Sequence, residues 1–379
     1  MRLFALAWFA MNRLLSLVSV ALACLFVLAG CGDPQPVRIG FIGGITGRVA
    51  DLGIGGRNGA MLAVEEFNQR GGLKGRPVEL LIRDDQQNDT VARQALQDLI
   101  GQQVAAVIGP MTSGMCGAVL DAANAAQMLL VSPTCTSTTF SGKDDHFFRT
   151  IADTTAYARK SADFHLSQGH RRFAVIYDLG NRSYTESWLN DFRDHLVGKG
   201  GEIALTLTFV SGPDVSFADL AQQLAAAPVD AILIVANSVD AAMVAQQLDH
   251  FGNRHTLVAS EWASTERLIE LGGKAVEGML LSQFLDRDSR LPEYQSFKAA
   301  FLKRFNQEPG FAGVAGYDAA KVVLDALSDK PANQPLKQRI LALRSFQGAS
   351  GTLEFTAQGD AERPTYITRI RDGRFHTER

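Results

Sequence analysis

The chain has 379 residues, 46% of them hydrophobic and 20% charged, with 37 Lys and Arg against 40 Asp and Glu and a formal net charge of −3. That slightly acidic balance argues against a nucleic-acid surface and for a soluble body. The length exceeds what one hydrophobic core usually supports, so two lobes are expected.

In "MNRLLSLVSVALACLFVLAGC" Arg13 is the only nearby charge, residues 14–28 are almost wholly apolar, and the small pair Ala29-Gly30 precedes Cys31. A charged start, an apolar run of this length and small residues at its end describe a secretory signal rather than a spanning helix. "LAGC" resembles a bacterial lipoprotein box, which implies cleavage before Cys31 and a lipid on its thiol. Residues 1–30 are thus expected to be a signal peptide and 31–36 a lipidated tether. Their removal takes away Arg2 and Arg13 and no acid, which moves the net charge from −3 to −5. Cys24 leaves with the signal, so Cys116 and Cys135 remain: one disulfide in an exported protein, or two buried thiols.

From Val37 short apolar runs alternate with amphipathic stretches. "VRIGFIG" reads as a strand, and "GAMLAVEEFNQRGG" as a helix with Ala60, Val64 and Phe67 on one face and Gly71-Gly72 as its stop. "VELLIRDD" is a strand, "DTVARQALQDLIGQ" a helix capped by Asp89 or Thr90, and "VAAVIGP" a strand. A helix over about 113–127 leads to the strand "MLLVSP". The rhythm repeats in "RRFAVIYD", "EIALTLTFV", "DAILIVAN" and "HTLVASE", with helices near 184–199, 216–227 and 239–251. "EGMLLSQF" precedes helices at 291–306 and 311–328, and the tail from Gly348 is β-rich. The pattern predicts an α/β protein of two doubly wound parallel-sheet lobes, covered by helices on both faces.

In such sheets ligands bind in loops beyond the carboxyl ends of the strands. Those loops hold Met111-Thr112-Ser113-Gly114, Thr134-Cys135-Thr136-Ser137, "YDLGNRSY" with Tyr184, "ANSVD" with Asn237, and "SEWAS" with Glu261 and Trp262. Ser113 stands where a helix begins, a place that suits an anion, or it caps its own helix. Thr136 offers a second hydroxyl nearby. Glu261 beside an indole suits an ammonium group, or it is a solvated loop acid.

The segment "VRIGFIGGITGRVADLGIGGRNGAMLAVEEFNQRGGLKGRPVELLIRDDQQND", followed by "AAVIGPMTSG", "LLVSPTCTS" and "TLVASEW", resembles the bacterial branched-chain amino-acid binding proteins, which are type I periplasmic binding proteins. The resemblance covers essentially 37–375. It implies lobe 1 from 37–151 plus 284–345, lobe 2 from 152–283 plus 346–379, and three crossover strands as the hinge. It also implies that Ser113 binds a ligand carboxylate, that Thr136 touches carboxylate and ammonium, that the Thr134 carbonyl accepts from the ammonium, and that Glu261 is its counter-charge. Tyr184 matches a second-lobe tyrosine of the family. Departures fall in the side-chain pocket, where aromatic residues of the family are replaced by Ala50-Asp51-Leu52 and by Asn237; Trp262, Phe311 and Tyr317 are candidate walls.

The chain has no G-x-S-x-G elbow, H-E-x-x-H or phosphate loop, and "GIGGRNG" reads as a Gly-rich loop near the cleft. The expectation is a non-enzyme without cofactor or metal: a monomeric receptor in the periplasm, anchored to the membrane only by lipid, that delivers an amino acid to an ABC permease complex in the inner membrane. An amide, urea or other small-carboxylate binder, or a sensor signalling to a partner protein, is the alternative.

Overall fold

The computed structural model describes Trp8, residues 35–329, 331 and 334–378; the expected signal segment, apart from Trp8, and the expected lipid site Cys31 lie outside the described residues. The chain begins β1 (Val37–Gly43), α1 (Ala50–Gln69), β2 (Val78–Asp84), α2 (Asp89–Gly101), β3 (Val107–Ile108), α3 (Ser113–Ala125), β4 (Leu130–Ser132) and β5 (Phe147–Arg149). These strands form one sheet in the order β2-β1-β3-β4-β5, each pair parallel. The second series is α4 (Thr154–Ser167), β6 (Arg172–Asp178), α5 (Arg182–Gly198), β7 (Glu202–Phe209), α6 (Phe217–Ala225), β8 (Ala231–Val235), α7 (Ser238–His250), β9 (Thr256–Ala259), α8 (Glu266–Gly272) and β10 (Leu280–Gln283). Helices α9 (Pro292–Phe305), α10 (Phe311–Ser328) and α11 (Leu336–Leu343) follow, then a small antiparallel sheet of β11 (Ser345–Gly348), β12 (Gly351–Phe355) and β13 (Ala361–Glu362). The hairpin β14 (Tyr366–Arg371) and β15 (Arg374–Thr377) completes the second sheet, ordered β15-β14-β10-β9-β8-β6-β7.

Both faces of the inner parallel strands are buried, and successive side chains go to opposite layers. In β6, Phe173 and Val175 join the large central core, whereas Ala174 and Ile176 pack with residues of α6 and α7 such as Leu224 and Val244. In β1, Ile39 and Phe41 face that central core and Ile42 faces Leu96 and Leu99 of α2. This is why these strands read as unbroken apolar runs.

The chain crosses between the two parallel-sheet bodies three times, at 150–153, 284–291 and 363–365. The boundary expected at 346 is corrected by packing. The small sheet sits on the first body, with Phe355 edge-on to Phe148 at 5.7 Å and the Ala349 N–H donating to Asp318 of α10 at 2.6 Å. Only β14 and β15 return to the second sheet.

Two local expectations also change, and one strand is added. "GIGGRNG" is no loop: it lies inside α1, which starts at Ala50. Glycine is a poor helix former, but here it lets two helices touch. A Cβ on Gly59 would sit 2.0 Å from the Gly313 carbonyl of α10, and one on Gly316 would sit 2.1 Å from the Gly56 carbonyl. The cap of α2 is Asn88, whose side chain accepts from the Thr90 and Val91 N–H groups at 2.9 and 3.1 Å, not Asp89 or Thr90. The stretch "FFR" forms β5, an edge strand too short to stand out in sequence.

Cys116 and Cys135 form a disulfide with Cα atoms 6.6 Å apart and a sequence separation of 19. It ties the start of α3 to the loop after β4. Replacing both cysteines by alanine is expected to lower the unfolding free energy by about 3 kcal/mol, measured by urea denaturation against the oxidised parent; an unchanged value would show that the bridge adds nothing to stability.

Candidate functional site

Loops at the carboxyl ends of both sheets line a small cavity between the two bodies. Its polar wall comes from Ser113, Thr134 and Thr136 of the first body and Asn181, Tyr184 and Glu261 of the second. Leu52, Met111, Ile151, Phe311 and Trp262 make the apolar wall.

Thr112 is the N-cap residue of α3, with extended backbone and no side-chain cap; its hydroxyl donates instead to Gln87 at 3.0 Å. Ser113 therefore stands inside the first turn and does not cap the helix. It is 1% exposed, and its hydroxyl accepts from the Ser137 N–H at 3.3 Å. That first turn carries no acidic side chain, so its free N–H groups and the helix dipole favour an anion. From the other body, Asn181 places its side-chain oxygen 2.9 Å from the Gly114 N–H, a carbonyl oxygen at the point an anion would take.

Glu261 follows β9 in a short 3₁₀ turn and is 3% exposed. Oε2 accepts from the Trp188 indole at 2.8 Å, and Oε1 accepts from the Thr136 hydroxyl at 3.4 Å across the cleft. Among the described residues, no Lys or Arg lines the cavity. Burial pushes the Glu261 pKa up to about 7, against the hydrogen bonds from its own backbone and from Trp188 that favour the charged form. Burial, with the Glu261 charge beside it, holds the Tyr184 hydroxyl well above its ordinary value. A buried acid without a cation, facing a helix N-terminus without an anion, is complementary to a small zwitterion.

Further contacts join the bodies around the cavity. Ser238 and Thr265 donate to Asp51, Arg48 pairs with the fully buried Asp240, and Ser187 accepts from the Thr138 N–H at 3.1 Å.

Of the residues singled out in the sequence, Ser113, Thr134, Thr136, Tyr184, Glu261, Trp262 and Phe311 converge on the cavity. The Thr134 hydroxyl is spent on the Met111 carbonyl. Two do not converge. Asn237 caps α7, accepting from the Asp240 N–H at 3.0 Å and donating to its carboxylate at 2.6 Å. Tyr317 points away and donates to Glu66 of α1 at 2.7 Å. The sequence reading missed Asn181 and Trp188. Asn181 carried the same signal as Ser113, a polar residue between a strand end and a helix; Trp188, an ordinary core position within α5, carried none.

A family model described as periplasmic binding protein matches residues 36–374. The chain belongs to this family. Among curated relatives, this periplasmic binding protein is 25% identical to the Leu/Ile/Val-binding protein homolog 3 of Brucella melitensis biotype 1, over 93% of the present chain and 95% of that one. It is 23% identical to a leucine-, isoleucine-, valine-, threonine- and alanine-binding protein of Pseudomonas aeruginosa, over 92% of each. Among solved structures, the leucine-binding protein LivK of Thermotoga maritima superposes with a TM-score of 0.82 at 25% identity, over 90% of this chain and 98% of that one. A solute-binding protein of R. palustris in complex with benzoate has the same fold, with a TM-score of 0.81 at 19% identity over 90% and 95% of the two chains. The fold therefore does not choose the ligand.

Proposed function

We propose that this protein is the lipid-anchored, extracytoplasmic receptor of an ABC importer, and that it closes its cleft on a small free amino acid. The observation that carries this reading is the pairing, across one cavity, of the lone buried Glu261 with the anion-seeking start of α3. The relatives named for branched-chain amino acids support it. Ser113, Thr136 and the first N–H groups of α3 hold the carboxylate, and Glu261 holds the ammonium. Closure excludes water, which strengthens each charged contact. Cys31 is the proposed lipid attachment point, tested by loss of acyl labelling in Cys31→Ser.

A thermal-shift panel of amino acids, their des-amino acids and small amides tests the reading, because a ligand that binds only the folded state raises its stability. Shifts with amino acids and none with the des-amino acids are expected. The reverse pattern would remove Glu261 from its role and leave a carboxylate or amide binder; Glu261 is neutral below a pH of about 7, which is the observation favouring that second reading. Ser113→Ala is expected to weaken binding of the best amino acid about tenfold by calorimetry, by the loss of one hydrogen bond to a charged group; an unchanged affinity would place the carboxylate elsewhere.

A further inference from the structure

The polar atoms that a zwitterionic head group uses do not exhaust the donors around the cavity. Trp262 lines it, is 7% exposed, and has its indole Nε1 enclosed without a hydrogen-bond partner among the described residues. The other buried tryptophan, Trp188, spends its Nε1 on Glu261 at 2.8 Å. Tyr184 packs edge-on against the Trp262 ring, centroids 5.5 Å apart and planes at 78°, so the indole is held in place. A buried donor left unpaired costs a protein more than a weak hydrogen bond would return, and native interiors rarely keep one. The apolar side of the cavity answers it poorly: Leu52, Ile151 and Phe311 carry no acceptor, and Met111 only a weakly accepting thioether.

We infer that Trp262 is a specificity-determining donor, and that the ligand is a small amino acid whose side chain carries a hydroxyl oxygen. This rests on the amino-acid reading above and narrows it. A hydroxyl both accepts and donates, so it meets the indole N–H and offers a proton to the neighbouring phenol. A site built to hydrogen-bond a hydroxyl discriminates against the analogue that lacks it, whereas a purely apolar pocket barely separates the two.

Threonine and valine are near-isosteres that differ in this one group, so their affinities for the protein, measured by calorimetry at pH 8, form the test. Threonine is expected to bind about tenfold tighter than valine. Trp262→Phe keeps an aromatic wall and removes the N–H; in it the threonine-to-valine ratio is expected to fall to about one. The wild-type ratio decides the matter even where the variant folds poorly. Valine binding as tightly as threonine in the parent would overturn the inference and leave the amino-acid reading intact. So would a preference for threonine that persists in a folded Trp262→Phe, or binding of other amino acids but of neither member of the pair. Failure of every amino acid to bind would instead overturn the reading on which it rests.

Discussion

Replacing Glu261 by glutamine is expected to weaken binding of a free amino acid roughly a hundredfold while leaving the fold as stable as before or more so. The two effects separate because they come from different states of one group. Ligand ammonium loses a charged partner in a water-excluded site, where such a bond is worth two to three times a neutral one. The unliganded protein, in contrast, is relieved of an acid that burial disfavours in its charged form. Its pKa stands at about 7 against an ordinary 4.5, so between those pH values the folded state binds more protons than the unfolded one. Stability from this group is therefore fully present below about pH 4.5 and is lost as pH rises to about 7. Binding runs the opposite way. An ammonium ligand needs the carboxylate, so affinity is expected to fall by up to about tenfold per unit as pH drops below 7, with proton release on binding at neutral pH. In Glu261→Gln both slopes should vanish. Calorimetry at pH 5, 6, 7 and 8 checks this; a pH-independent parent, or a mutant that binds as tightly as the parent at pH 8, would sink the assignment.

Arg363→Ala is expected to cost about 3–5 kcal/mol of unfolding free energy, the usual penalty for leaving a buried charge without its partner. The Arg363 guanidinium is 3% exposed and meets the fully buried carboxylate of Asp318 at 2.6 Å. It also donates to the Thr150 carbonyl at 3.1 Å and the Ser350 hydroxyl at 2.9 Å, and lies over the Phe284 ring, 4.4 Å from its centroid. Thr150, Phe284 and Arg363 belong to the three different segments that cross between the bodies, so one side chain gathers all of them. Burial already raises the Asp318 pKa against the pull of Arg363, so loss of the cation pushes the acid further toward its neutral form. The double variant Asp318→Leu/Arg363→Met removes both charges and is expected to be clearly more stable than Arg363→Ala. Urea denaturation of the three proteins measures this. An Arg363→Ala loss below about 1 kcal/mol would mean that the pair is solvated in solution.

The stretch "VSPTCTSTTF" separates what is legible in a sequence from what is not. Its density of hydroxyls marks a loop at the end of a strand with polar work to do, and the loop does border the cavity. The work is divided, however. Ser132 donates to the Pro110 carbonyl at 2.8 Å, Ser137 accepts from the Thr139 N–H, and Thr138 pairs with Ser187 of the other body at 2.8 Å; Thr134 and Thr136 reach the cavity. All are hydroxyls in one short run, and spacing alone cannot assign them.

Hydrophobic period, strand-end position and local charge are properties of the chain itself. They determined the alternating α/β elements, the two parallel sheets, the loops that form the cleft, and the candidacy of Ser113, Thr136 and Glu261. Partner choice belongs to the tertiary structure. Asn237 and Asn181 both follow strand ends, yet the fold turns Asn237 onto its own helix and Asn181 onto the first N–H groups of α3. The same holds for Gly56 and Gly59, which weaken a helix by propensity and permit one by contact with α10. Trp188 reads as core, and only its distance to Glu261 makes it the support of the site's single charge. A hydrogen bond is decided by tenths of an ångström between residues tens of positions apart. No local pattern encodes such distances, because they are fixed only when the two sheets and their helices pack together.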